Sequence, residues 1–199
     1  MAIQQALVGV QQIGDGNFVN ARAGKGGEML ASELQAQFYE QTYRGNVFSV
    51  ANQAAVTTST SLNTTFTGLS VANPTGSGVN LVMLRFACAE FAVGAAAVVS
   101  LCAGAGAAAG SLTIRNRLYG GAASKAVASA GATIAAPILL QPCGQTGSVA
   151  TTGYGLSQGI VCDLGGSLII PPGYFVASDT SIATTSSLIF GFVWMEVPI

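Results

Sequence analysis

The chain has 199 residues, half of them hydrophobic and only 8% charged, with a formal net charge of -1. An average soluble domain carries roughly 25% charged residues, so the surface must be solvated by Ser, Thr, Asn and Gln or covered by partners. Two things are excluded: a basic stripe for gripping nucleic acid, because no basic block exists, and Ser-His or Cys-His catalysis, because the chain has no histidine.

Residues 1–25 mix Gln, Gly and Asn with scattered apolar positions, and 14–17 read as a turn. Nothing there could make a core by itself, so an extended arm lying along a neighbour is expected. The first basic residue is Arg22, so no positive region precedes an apolar stretch and a secretory leader is not expected. A helix is expected over 27–43. Leu30, Leu34 and Phe38 fall at i, i+4 and i+8 on one face. Glu28 sits in its first turn, Arg44 at its end and Gly45 at its stop, in keeping with the helix dipole. The apolar face packs either on the chain's own β domain or on a neighbouring subunit. Residues 1–45 thus form an arm and helix, and 46–199 a β domain.

From Asn46 the period becomes that of strands. Val47-Phe48-Ser49-Val50 and the β-branched stretch 55–60 are strand-like. A turn cluster at 73–78 leads into a long strand from Val79 to Val93, with Leu81, Met83, Arg85 and Ala87 on one face. Residues 91–112 carry no charge and are long enough to span a bilayer. They are mostly Ala and Gly, however, so a strand end followed by an Ala/Gly loop is expected, and no membrane span. Leu112, Ile114, Asn116 and Leu118 mark a strand holding Arg115 and Arg117, and it ends at the Gly120-Gly121 turn. Weaker strands are expected over 132–141 and 159–163.

Ser167-Leu168-Ile169-Ile170 runs into Pro171-Pro172-Gly173, which separates it from Tyr174-Phe175-Val176. The last strand, 187–197, is apolar on both faces: Leu188, Phe190, Phe192 and Trp194 on one, Ile189, Val193 and Met195 on the other. The reading favours Leu188, Phe190, Phe192 and Trp194 as self-association residues at an oligomer axis, against cover by the chain's own helix or loop. Many strands parted by Gly, Pro and Asn turns imply an all-β fold, a jelly-roll-like antiparallel sandwich with an N-terminal arm and one short helix.

Chemistry is sparse. Ser124 beside Lys125 is a poor nucleophile-base pair. Asp163 and Asp179 are the conceivable glycosidase partners, but each reads as a turn residue. Residues 102–106 lack the rest of a phosphate loop. Cys88, Cys102, Cys143 and Cys162 form no CxxC pair, so reduced cysteines acting as small hydrophobes are expected rather than zinc. No catalytic, metal or cofactor site is expected.

Three segments resemble proteins on the heads of tailed bacteriophages: Gly27-Glu28-Met29-Leu30 through Tyr43-Arg44-Gly45-Asn46-Val47-Phe48; residues 68–78, with Asn73-Pro74-Thr75-Gly76; and the ending from Leu168 through Pro171-Pro172-Gly173 to Trp194. They cover most of the chain from Gly27 on and are most similar to capsid cement (decoration) proteins with a jelly-roll body. The Pro-Pro-Gly junction also resembles that of trimeric jelly-roll knobs, and the Ala/Gly run at 92–110 fits neither pattern. The resemblance implies a non-enzymatic protein on the outer capsid surface, assembled in the host cytoplasm. It would bind over joints between major capsid protein subunits and associate with itself as a homotrimer. Leu30, Leu34, Phe38, Tyr39, Tyr43 and Arg44 are the contact residues expected on that reading. The competing readings are a trimeric receptor- or glycan-binding knob of a fibre or tail and, more remotely, a β-fold hydrolase.

Overall fold

The structure, a computed structural model, describes residues 36–53, 58, 68–90, 97–106, 110–131, 137–146, 159–183 and 188–199. The chain divides into two compact units, Met1–Tyr39 and Glu40–Ile199. Among the described residues a short helix, α1 (Tyr39–Tyr43), precedes ten strands: β1 (Val47–Ala51), β2 (Leu69–Asn73), β3 (Val79–Glu90), β4 (Val98–Ala105), β5 (Arg115–Asn116), β6 (Val127–Ala130), β7 (Ile138–Gln145), β8 (Ile160–Ile170), β9 (Tyr174–Thr180) and β10 (Leu188–Pro198).

The pairing is nested. β1 pairs with β10, β2 with β9, β3 with β8 and β4 with β7, all antiparallel. This is one long hairpin rolled up so that β10 also meets β3 and β9 meets β4. Two five-stranded sheets result, in the orders β5-β1-β10-β3-β8 and β6-β2-β9-β4-β7. That strand order is the jelly roll, with β5 and β6 added beside β1 and β2. The all-β sandwich expected from the turn-separated strands is the fold observed.

The core lies between the sheets. From the first come Phe48, Val50, Leu81, Met83, Phe86, Phe190, Phe192 and Trp194; from the second, Leu69, Val71, Val99, Leu101 and Val176. Phe86 stacks against Phe190 at 6.1 Å and meets Phe192 at 5.0 Å, and Phe48 lies 6.2 Å from Trp194. The second sheet buries its outer face too. Ala72, Cys102, Phe175 and Ala177 form a smaller cluster there, which explains why β2 and β9 have scarcely an exposed residue.

Buried polar side chains tie the layers. Asn73 Nδ2 donates to the carbonyls of Val79 (2.8 Å) and Ile170 (2.9 Å), joining β2 to the opposite sheet. Asn52 extends the β1–β10 ladder past its end, with Nδ2 donating to Leu188 O and Oδ1 accepting from Phe190 N. Glu196 accepts from Ser124 Oγ at 2.5 Å and from Lys125 N at 2.9 Å, so the loop before β6 is pinned to β10.

Several local expectations need correction. Among the described residues, helix appears only at Tyr39–Tyr43, with a turn before it at 37–38; residues 27–35 of the expected helix and 1–25 of the expected arm lie outside the described residues. Residues 112–118 contribute only Arg115–Asn116 to a ladder. The stretch 55–60 lies outside the described residues except Thr58, which is buried and bonds to Thr180. The Ala/Gly run is no mere loop, since β4 occupies the second sheet between β9 and β7. β6, rich in Ala and Ser, had no counterpart among the expected strands.

Two corrections share one cause. Opposite β10, Val193 and Trp194 face Arg85 and Met83, so Leu84 is an extra residue in β3. Such a bulge reverses the faces beyond it. Leu81 and Met83 point inward, but Arg85 and Ala87 point outward and Phe86 and Cys88 take their place in the core. On the other side of the bulge Asp163 and Leu168 face Arg85 and Met83, so β8 makes an excursion through 164–167. Gly165 and Gly166 hold φ of 52° and 87° there, a region open to glycine without strain, and Asp163 Oδ1 accepts from Gly165 N. The turn expected at Asp163 is therefore real, but it sits within one continuous strand.

Candidate interaction surface

Among the expected contact residues, Leu30 and Leu34 lie outside the described residues. Phe38 is half-buried, and Tyr39 and Tyr43 are exposed on α1. Arg44 closes an i,i+4 pair with Glu40 at 2.6 Å, both groups more than half exposed, a geometry that contributes little to stability. Asn46 Nδ2 donates to Gln41 Oε1, and Glu196 N donates to Asn46 O, so the end of the helix is tied to the first sheet.

The expected self-association residues sit elsewhere. Leu188, Phe190, Phe192 and Trp194 are at most 1% exposed, in the centre of the chain's own core. The alternation that singled them out marks the inward face of β10, and the opposite sheet covers that face, so no second copy can reach it. On the outward face Ile189, Val193 and Met195 are half-buried.

Among the described residues, a group of exposed aliphatic side chains lies at the sandwich's open side. β7 and β8 are edge strands of opposite sheets and touch each other. Along them Ile138 is 71% exposed, Leu139 47%, Leu140 45%, Val161 63% and Ile169 54%. Sheet edges carry unpaired backbone groups and invite pairing with another chain; Pro142 within β7 lacks the amide that such pairing needs, which blunts it. Between the two edges lie Cys143 and Cys162. Gln141 Nε2 donates to Cys162 Sγ at 3.3 Å. Burial first, and then a hydrogen bond with Cys162, push the Cys143 thiol up to about 12. All four cysteines are free thiols, Cys88 and Cys102 buried, Cys143 and Cys162 half-buried. Sequence patterning could not find this strip, because β7 was expected only weakly and its pairing with β4 brings it beside β8.

The residues considered for catalysis are dispersed. Ser124 donates to Glu196 and accepts from Ala126 N, so its hydroxyl anchors a loop. Asp163 is on β8 in the first sheet, whereas Asp179 is on β9 in the second. Asp179 is not the turn residue expected: it is a strand residue 8% exposed, with Oδ1 lacking a partner. Burial raises its pKa, opposed by a backbone hydrogen bond from Thr180. Among the described residues no three His, Cys, Asp or Glu side chains are grouped to hold a metal, and no helix is long and apolar enough to cross a membrane.

No family model, curated protein or solved structure matches the chain.

Proposed function

We propose that this chain is a structural subunit of a tailed-phage particle, a cement protein bound outside joints between major capsid protein subunits. The observation that carries this reading is the apolar strip along β7 and β8, five large aliphatic side chains 45–71% exposed in a chain with only 8% charged residues. An exposed strip of this kind on a sandwich is suited to being covered by a partner. The resemblance of three segments to head proteins supplies the identity of that partner. A cement subunit needs area, shape fit and several simultaneous attachments, and a jelly roll with an exposed apolar edge offers area and shape. A homotrimer would have to be built from residues other than Leu188, Phe190, Phe192 and Trp194.

The test is attachment to purified capsids. Full-length chain should bind in hundreds of copies per particle. The Ile138→Ser/Val161→Ser variant should stay folded and bind more weakly, as should a chain lacking residues 1–25. Equal attachment of all three would defeat the reading. The knob alternative gains support from one residue, Tyr119, which is fully exposed on the loop after β5. It is separated by stoichiometry, because a knob would be present in few copies per particle.

A further inference from the structure

The outer face of the first sheet carries a second, chemically different surface. A single cross-strand row runs Arg115 (β5), Ser49 (β1), Val193 (β10), Arg85 (β3), Asp163 (β8). The next row runs Ala51, Gly191, Ala87, Val161. With no side chain at Gly191 and only methyls beside it, this second row is a depression alongside the first. Arg115, Arg117 and Arg85 stand around it, and together with Ser49, Gln53 and Thr113 they line a groove of about 420 Å³.

Three of the chain's seven cationic residues therefore converge on one groove, in a molecule whose net charge is -1. Among the described residues no carboxylate lines it. Asp163 approaches Arg85 only at 3.7 Å, with both side chains more than half exposed, so this pair leaves most of the guanidinium's donors to other acceptors. Among the described residues neither Arg115 nor Arg117 has an ion-pair partner. Three strand spacings separate Arg115 from Arg85, roughly 14 Å between Cα atoms. Long side chains reaching inward from both ends can close on one group lying over Ser49. The guanidinium fork fits an oxyanion in bidentate fashion, and an anion would also relieve the mutual repulsion of the three cations.

We propose that this groove is a binding site for carboxylate side chains of a partner polypeptide. A few carboxylates are favoured over a nucleic-acid backbone, because three cations on a net-negative chain are too few to hold a polyanion. The groove adjoins the apolar strip at Val161, which pairs with Ala87, but the site rests on the three arginines and not on the particle reading.

The test uses the full chain labelled for amide NMR and titrated with hexaglutamate, citrate, inorganic phosphate and a short DNA duplex. Hexaglutamate should shift the amides of Ser49, Ala51, Ala87, Gly191 and Arg115, with citrate acting more weakly at the same amides. Arg115→Gln should weaken hexaglutamate binding about tenfold or more, Arg115→Lys should restore part of it, and added salt should weaken it. Unchanged Trp194 emission verifies that the variants are folded. The proposal is overturned if neither acid shifts these amides, if Arg115→Gln binds as the parent does, or if only phosphate or DNA binds there.

Discussion

Replacing Phe192 by Ala tests the inward face of β10 directly. Phe192 is fully buried and meets the Phe86 ring at 5.0 Å. Removing a core phenyl ring costs about 3–5 kcal/mol through lost transfer energy and the cavity left behind. The adjacent Val193 faces outward and is half-buried. Val193→Ala removes two carbons worth about 0.8 kcal/mol each when fully buried, so half burial leaves a cost of about 0.8 kcal/mol. With a urea m-value of about 2 kcal/mol/M, the midpoint should fall by roughly 2 M for Phe192→Ala and by about 0.4 M for Val193→Ala, with m unchanged. Unfolding can be followed through Trp194, the chain's one tryptophan. If the two variants shift the midpoint equally, the register of β10 against β3 and the bulge at Leu84 are wrong.

Three further outcomes are expected. Trp194 is fully buried in the chain's own core, so its emission should be blue-shifted and should not change on dilution; a red shift on dilution would return it to a self-association surface. Asn73→Ala removes both donors that join β2 to Val79 and Ile170 and should cost about 2–3 kcal/mol in a denaturation experiment; a loss below 0.5 kcal/mol would show that the cross-sheet tie is unimportant. Burial chiefly raises the thiols of Cys88 and Cys102 from 9.0 to about 12. The folded chain then holds protons that the unfolded chain releases, so stability is intact below pH 9 and falls between pH 9 and 12, by up to about 1.4 kcal/mol per pH unit for each thiol. Cys88→Ala/Cys102→Ala should flatten that alkaline slope, and an unchanged slope would contradict the burial.

The same residues show how far patterning alone reaches. Strict alternation in β10 identified its two faces correctly, because a strand's side-chain period is a local property. Which face met the other sheet was not local, so Leu188, Phe190, Phe192 and Trp194 could be read as an oligomer axis. The alternation in β3 misled beyond Leu84, since one inserted residue reverses every later side chain without any composition signal. β4 and β6 were hidden for another reason. Five of the eight residues of β4 and three of the four of β6 are Ala, Ser, Gly or Cys, whose weak strand preference is overruled by pairing on both sides of β4 and by the covered outer face of the second sheet.

By itself, then, the sequence determined the all-β class, the turns at 73–78 and 171–173, and the absence of histidine chemistry, all of which depend on residue type or on neighbours within a few positions. Only the tertiary structure decided the nested pairing, the apolar edge and the arginine groove. Each of those joins residues far apart in the chain: Ile138 comes beside Val161's strand through two different sheets, and Arg85 meets Arg115 across β10 and β1. Contacts of that kind exist only once hydrogen-bonded ladders have set which strands are neighbours.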